Sequence, residues 1–568
     1  MLWRVGKPVR GRLFEHVAVP RSFYPLDAGL PEPELPGIDD AVRTVLSHLD
    51  GRMAVFGDYD CDGICSALIL SRALERLGAD VFVRLPTRRE GFGMKPLHVQ
   101  ELAARGAKLI ITADNGTQAI EAIEVAHSLN VSVVVTDHHE PGDILPDCPI
   151  VNPKLGGGYR WYAGAGVAWL FASALFKAKG LPAPVDLLDL VCLATVVDVA
   201  PLTGPNWALA RKGLELMRSK PSLGVQALMS SAGISHLGGH SITWQLGPRL
   251  NAPGRVDDPM PAYRLLATKD ASEANKLADE LSSVNRVRQE LVEMIVEDCL
   301  AKHKGDTFFP VFAGDYPRGV VGVAAGRLAE ILRLPVLVGS CDEQGVVRAS
   351  GRTIGSFDIL SALAEVKTPI QFGGHRAACG ATFDRRDLPV LRSELSIIAH
   401  NRLKREDTAP IINIDGLVTR VPTPEEVEEL DLLEPFGEQN PEPVFALHGK
   451  AVPLNSGENW QLIGMQGVKM FVPPGTLQGE ETLYAAVSFY LNEWNGCVTV
   501  MARPHDIRKV ACTRAGLRHI FKLWRSGRPV PEYAEKIFTE LGIPRTGAVS
   551  QKDLYQSRTF MEIGIEGG

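Results

Sequence analysis

Three carboxylates, Asp58, Asp60 and Asp62, alternate in the run GDYDCDG directly after the apolar stretch Met53 to Phe56. Like charges at this spacing repel, and a divalent cation is the usual relief, although a solvated acidic turn has the same composition. A calcium-binding loop also opens D-x-D-x-D-G. Its twelfth position would fall on Ile69, where a bidentate Glu is needed, and the element leading in reads as a strand. In the metal reading Asp60 and Asp62 face a site at the strand end, and Gly63 lets the chain turn into the helix that follows. Two further apolar runs end in the same way: LIITADNG delivers Asp114, and VVVTDHH delivers Asp137, His138 and His139. Asp198 closes a fourth apolar segment, ATVVDVAPL. Taken singly, Asp114 reads as a helix cap, Asp137 as a partner orienting a histidine, the two histidines as a surface pair, and Asp198 as a turn residue. Taken together they offer oxygen and imidazole ligands without thiolate, which suits Mn2+ or Mg2+ better than structural zinc. The carboxylates suffice for two ions, and ions about 4 Å apart can activate a water and steady both oxygens of a phosphoester undergoing hydrolysis.

The elements that must position these groups are short Val/Ile runs alternating with helical stretches from residue 38 onward, which predicts an α/β fold with a mostly parallel sheet. Ligands in such sheets collect at the carboxyl ends of strands, where all these acids fall. Residues 161–235 read as mainly helical, and SEANKLADELSSVNRVRQELVEMIVEDCLAKHK as one long connector helix. A smaller α/β unit follows at 308–404, and short β-type runs after 410 suggest a barrel. The expected division is therefore an N-terminal extension 1–37, a first domain 38–265, a connector 266–307, a second domain 308–404, a barrel 405–508 and a helical appendage 509–568.

DYDCDG, TADNGT, TDHH and ATVVDVAPL, in that order, resemble the motifs of the DHH phosphoesterase superfamily. The runs REGFGM, AGAGVAWL, LGPRLNAPGR, SSVNRVRQE, RGVVGVAAGRL, ASGRT, GGHRAACG and LEPFGEQNPEPVF narrow the resemblance to the RecJ-type single-strand-specific exonucleases. The resemblance implies a DHH domain, a connecting helix, a DHHA1 domain and an OB-like barrel. It implies Asp60, Asp62, Asp114, His138 and Asp198 as ligands of one or two Mn2+ or Mg2+ ions. Asp58 and Asp137 become supporting carboxylates, and His139 a holder of the scissile phosphate or a further ligand. It implies digestion of single-stranded DNA from the 5′ end to mononucleotides, in recombination and repair, by a cytoplasmic monomer working with a single-strand-binding protein and a helicase. Two other readings are a DHH enzyme acting on oligoribonucleotides or cyclic dinucleotides, which would not need the β-rich section after 410, and a silent DNA-binding scaffold, which would have lost its ligands.

Gly373, Gly374, His375 and Arg376, with Arg318 and Arg352, read as phosphate-binding: glycines allow close backbone approach and arginines grip phosphate with two hydrogen bonds. A folding turn and a satisfied histidine are the plainer alternatives. Asn285, Arg286 and Arg288 on the connector, and Arg249 beside a Pro/Gly loop, are candidates for a DNA groove; Trp460, Phe489, Tyr490 and Trp494 are candidates for base stacking or for barrel core. Departures from the family pattern are Phe56 in place of a second-metal histidine, Tyr316-Pro317, Cys379 and Trp207, the last three expected to alter DNA contacts.

The 568 residues leave room for three or four domains, and 60 Lys and Arg against 67 Asp and Glu, a net charge of -7, argue against a generally polybasic binder. A local basic groove is still compatible with that total. Nine scattered cysteines without a CxxC pair suggest a reducing cytoplasm, and no run of 18 apolar residues suggests a membrane span.

Overall fold

The computed structural model describes residues 2–7, 9, 12–17, 29–234, 237–404, 411–494, 496–509, 512–546, 554 and 557–567. The chain divides into two compact units, one formed by Val19–Leu291 with Leu433–Pro441, the other by Met1–Ala18, Val292–Leu432 and Glu442–Gly568.

In the first unit, five parallel strands lie in the order Asp80–Arg84, Arg52–Phe56, Leu109–Thr112, Ser132–Thr136, Ile150–Val151. Helices cover both faces. Met53, Val55 and Ile111 pack against the helix Cys61–Arg76 and its neighbours, while Ala54, Phe56 and Ile110 pack on the opposite side with the helices Pro96–Ala104 and Ile120–Ser128. Burial on both faces explains why these strands read as continuous apolar runs and not as alternating ones. The chain leaves Arg52–Phe56 toward one edge of the sheet and returns to Leu109–Thr112 on its other side. The crevice opened at such a reversal is the usual ligand position in open α/β sheets.

The long helix spans Ala271–Lys302 and starts where the Asp270 carboxylate accepts the amides of Ser272 (2.7 Å) and Glu273 (3.1 Å). In the second unit a mixed sheet runs in the order Gln371–His375, Ala378–Asp384, Val346–Arg352, Val336–Cys341, Val311–Gly314, with the last two strands parallel. Beyond it, five strands, Phe445–Ser456, Gln461–Met465, Val468–Val472, Glu481–Trp494 and Cys497–Arg508, close on themselves. The third and fifth are parallel and the first pairs with the fourth, an OB-like barrel with Ile463, Met465, Leu483 and Val487 inside.

Three expectations about the chain's divisions need correction. Leu2–Val5, expected in an extension outside the folded domains, is a central strand: it pairs in parallel with Ile411–Ile414 on one side and Gly564–Gly567 on the other. Residues 509–568, expected to be helical, also contribute the strands Cys512–Thr513 and Gly564–Gly567 to that sheet. Leu433–Pro441, expected in the barrel section, packs with the first unit instead. There the Trp207 indole donates to the Leu433 carbonyl (3.0 Å), Arg218 pairs with Glu434, and the Leu202 amide donates to the Glu438 carbonyl (2.9 Å). Among the described residues no helix is long and apolar enough to cross a membrane.

Candidate metal centre

Asp60 caps the helix Cys61–Arg76, accepting the amides of Asp62 and Gly63 at 3.1 Å each. Asp62, one turn further, is buried, and its two oxygens accept the amides of Gly164 (2.6 Å) and Ala165 (2.7 Å) at the start of the helix Gly164–Ala178. A helix N-terminus is a favourable place for a carboxylate. The small residues of AGAG serve this approach, since a Cβ on Gly164 would lie 2.7 Å from the Asp114 Oδ1. Asp114 itself sits in the left-handed backbone region at φ 65, its amide donating to the Thr136 carbonyl at 3.0 Å.

Asp137 is saturated by its own loop. One oxygen accepts the amides of His138 (2.7 Å) and His139 (3.1 Å) and the His139 Nδ1 (2.8 Å), and the other accepts the Thr117 amide (2.9 Å). Burial alone would raise its pKa, but the His139 and Thr117 hydrogen bonds outweigh burial and hold it well below the ordinary value. The His139 pKa is raised by the same contact, which overcomes the opposing effect of burial.

His138 Nδ1 lies 3.0 Å from the Tyr162 carbonyl, which can only accept, so Nδ1 carries the proton. Burial, with His139 beside it, pushes the His138 pKa down to about 4, so the ring is neutral near pH 7 and Nε2 is a bare lone pair. That lone pair faces Asp114 Oδ1 at 3.1 Å, Asp62 Oδ2 at 3.8 Å and Asp198 Oδ2 at 4.0 Å. Acceptors facing acceptors are stable only with a cation among them. Two buried oxygens, Asp58 Oδ1 and Asp114 Oδ1, have no hydrogen-bond partner at all.

The carboxylates carry the same signature. Burial first and Asp60 next push Asp58 up to about 8 and Asp62 up to about 7. Burial, then Asp62 and Asp60, raise Asp114 and Asp198 well above the ordinary range. Ligand atoms of Asp62, His138 and Asp198 lie within 4.8 Å of one another, as do those of Asp58, Asp60 and Asp114, and of Asp114, His138 and His139. The donor set therefore fits hard divalent cations, with room for two and Asp114 between them. Asp58, expected only as a support, is one of the groups whose oxygen is left bare. Phe56 takes no part, being buried on the other face of the sheet with its ring 4.9 Å from His98.

In the second unit, His375 pairs across strands with Ala378, and Ala378 with Arg352, so His375 and Arg352 are two strands apart on adjoining registers. Gly373, Gly374, His375 and Arg376 are exposed; Arg376 donates to the Ser356 carbonyl. At φ 133, with a Cβ that would lie 2.6 Å from the Ala378 carbonyl oxygen, position 374 requires glycine. Arg318 is exposed in the turn before the helix Val321–Leu332, and burial lowers the pKa of Arg352, whose guanidinium approaches Gly322 of that helix. On the long helix, Arg286 is exposed, while Asn285 Oδ1 and Arg288 Nε are buried without a hydrogen-bond partner. Arg249 is an anchor, donating to Ser282 Oγ (3.1 Å) and the Gln245 carbonyl (2.8 Å).

Three residues expected to alter DNA contacts do structural work. Trp207 is buried, holding Leu433. The Tyr316 hydroxyl donates to Asp298 on the long helix, and Cys379 lies in the core of the mixed sheet. Among the barrel aromatics, Phe489 is core against Phe445 (5.7 Å), Tyr490 lies under Arg503 (5.6 Å), and Trp460 is 58% exposed. The Trp494 side chain lies outside the described residues. One residue at the centre went unread in the sequence: Phe92, whose ring stands edge-on to His139 at 5.0 Å. Its signal was an aromatic set between Gly91 and Gly93.

Residues 52–195 match the DHH family, N-terminal domain, and residues 305–400 match the DHHA1 domain. Among curated proteins, the single-stranded-DNA-specific exonuclease RecJ of Bacillus subtilis is 36% identical over 71% of this chain, a match spanning about half (52%) of that relative's length. RecJ of Thermus thermophilus is 32% identical over 82% of this chain and 70% of its own length, and RecJ of Escherichia coli is 32% identical over 78% and 82%. The crystal structure of Thermus thermophilus RecJ in complex with Mn2+ superposes with a TM-score of 0.75 at 26% identity, covering 100% of this chain and 92% of that one. A second structure, exonuclease RecJ bound to manganese, gives 0.57 at 32% identity over 66% of this chain and 96% of that one.

Proposed function

The chain belongs to the RecJ family of single-stranded-DNA-specific exonucleases, and from that premise we infer that it is a metal-dependent phosphodiesterase that degrades single-stranded DNA from a strand end. The observation that carries this reading is the His138 Nε2 lone pair facing three carboxylates beside the unpartnered oxygens of Asp58 and Asp114.

Asp62, His138 and Asp198 would hold one ion and Asp58 and Asp60 a second, with Asp114 shared; all but Asp58 are the ligands that the family resemblance implies. Bound Mn2+ or Mg2+ supplies a water of lowered pKa and positive charge beside the phosphate. The protein's own groups do the rest. The Tyr162 carbonyl fixes the His138 tautomer, and the amides of Gly164 and Ala165 fix the rotamer of Asp62. Asp137 keeps a proton on His139 Nδ1 and favours the imidazolium, whose Nε2–H can donate to a nonbridging phosphate oxygen as charge builds there. Arg318, Arg352, His375 and the backbone of Gly373 and Gly374 would grip phosphates of the strand, as would Arg286 and Arg288 with Asn285, and Trp460 offers a stacking face.

With this reading go 5′ to 3′ polarity, release of 5′-mononucleotides, and a role in recombination and repair. It also carries a monomeric cytoplasmic protein with a single-strand-binding protein and a helicase as partners. The closed barrel, with no task on a dinucleotide, disfavours a cyclic-dinucleotide substrate. The test is digestion of long single strands labelled at the 5′ or the 3′ end, with Mn2+, Mg2+ or chelator. Early release of the 5′ label with metal alone supports the proposal in full; release of the 3′ label overturns the polarity, and no metal-dependent digestion overturns the activity.

A further inference from the structure

Phe92 is a large apolar side chain, 50% exposed, beside a centre otherwise built of carboxylates and imidazoles. Its exposure is enforced. Gly91 and Gly93 on either side both adopt left-handed backbone, at φ 87 and φ 78. The turn they form is tied down through Glu90, whose carboxylate accepts the Thr87 amide (2.6 Å) and hydroxyl (2.8 Å), pairs with Arg84, and lies 3.3 Å from His98 Nε2. Lys95 Nζ donates to the Glu90 carbonyl from the far side of the turn. Burial opposes ionisation of Glu90, but the Arg84 and Thr87 hydrogen bonds bring its pKa down to about 2, so this anchor stays charged at any working pH. A loop stapled this firmly holds its aromatic tip in one place. That place is against His139, at a centroid distance of 5.0 Å and an interplanar angle of 61°, an edge-to-face contact that leaves ring surface uncovered. His139 Nδ1 lies 3.8 Å from Asp114, so the uncovered surface adjoins the metal cluster.

Resting on the exonuclease reading above, we propose that Phe92 is a specificity-determining residue: its ring stacks on the nucleobase attached to the phosphate being cleaved, so that the enzyme requires a base on the terminal nucleotide. A phosphate held at the cluster leaves its own base within one nucleotide's reach, and a rigid aromatic face is the sequence-tolerant partner for any of the four bases. The edge contact to His139 places the ring without consuming it.

The experiment compares the full-length wild type with F92L, F92A and F92Y on single strands carrying a normal or an abasic terminal nucleotide at either end, in Mn2+. The wild type is expected to cleave the base-bearing end at least about tenfold better in kcat/KM than the abasic end, the scale of one base–aromatic stack. F92L and F92A are expected to raise KM on normal strands and to lose that preference, and F92Y to keep it. In parallel, strands with terminal 2-aminopurine are bound in chelator: quenching by the wild type and F92Y, but not by F92L, is expected. An unchanged base-to-abasic ratio in F92L, or a lower kcat with a shifted pH profile and that ratio intact, overturns the proposal and leaves Phe92 as a support for His139. If no strand is cleaved by the wild type, the exonuclease reading fails, and the quenching comparison still decides whether Phe92 stacks a base.

Discussion

Asp114 concentrates the problem that this centre poses: a buried carboxylate at φ 65, one oxygen unpartnered, next to Asp58, Asp60 and Asp62. Asn accepts left-handed backbone more readily than most residues and removes the charge without changing the shape. D114N is therefore expected to stay folded and to lose metal-dependent turnover by at least about 1000-fold, because a shared ligand is gone. In chelator it should be more stable than the wild type by about 1 kcal/mol, the relief of like-charge repulsion. Thermal melts with EDTA and with Mn2+ check both halves: Mn2+ should raise the wild-type Tm and leave that of D114N nearly unmoved. The same crowding sets a pH dependence in chelator. Asp58 and Asp62 titrate in the folded chain near 8 and 7, above the ordinary 3.8, so the folded state holds protons that the unfolded state has released. Their contribution to stability is complete below about pH 4 and is lost as pH rises through 7 to 8. Melts in EDTA should accordingly fall between pH 5 and pH 8.5, and saturating Mn2+ should flatten or reverse the slope; a Tm that rises with pH in EDTA would contradict the clustering. The identity of these acids was legible in the sequence because each ends an apolar run. The bare Asp58 oxygen and the His138 tautomer were not, since both depend on Gly164 and Tyr162, more than a hundred and some twenty residues away in the chain.

At the scale of elements, the sequence spoke plainly where burial is continuous and local, as in the strands Arg52–Phe56 and Leu109–Thr112 and the helix Ala271–Lys302. It was silent where an element's partner is remote. Leu2–Val5 pairs with residues around 412 and 566, so four residues without a visible alternation become the middle of a sheet. Trp3 is fully buried, its indole donating to Asp506 (2.8 Å) under the Arg508 guanidinium (4.4 Å). W3A should cost about 3–5 kcal/mol, the usual range for a buried tryptophan, and leave turnover on short strands largely intact. Hydrogen exchange is the direct check: protection should fall at Ile411–Ile414 and at residues 564–567, and not at Leu109–Thr112. Trp207 misled for a different reason. An aromatic near basic residues reads as a DNA contact, yet it holds Leu433–Pro441 against the first unit together with the Arg218–Glu434 pair. Removing Arg218 would strand a carboxylate that is 91% shielded, so R218A is expected to cost about 3 kcal/mol while E434Q costs less. Limited proteolysis should cut within 433–441 faster in R218A than in the wild type, and equal rates would argue that the segment is held by Trp207 alone.

Across the whole molecule, acids and bases are divided by task, which is why a net charge of -7 says little about binding a polyanion. The first unit concentrates Asp58, Asp60, Asp62, Asp114 and Asp198 at one sheet edge, where bound cations would turn their potential positive. The second unit presents Arg318 and His375 at its surface with Arg352 two strands from His375. If that patch grips phosphates and the carboxylate centre performs hydrolysis, the two jobs are separable by experiment. H375A and R318Q are expected to raise KM for long single strands several-fold, and to shrink the slope of log KM against log salt by about 0.7 for each lost phosphate contact. Mn2+ affinity, read from the metal-induced Tm shift, should stay at the wild-type value in both. D60N should do the reverse, abolishing the Mn2+ response and turnover while strand binding in chelator keeps its salt slope. Fluorescence anisotropy of a labelled strand across a salt series, set beside Mn2+ titrations of the same variants, measures both quantities. An unaltered salt slope in H375A and R318Q would remove the second unit from phosphate binding, and a changed Mn2+ response in them would mean that the two tasks are not divided as the sheets divide them.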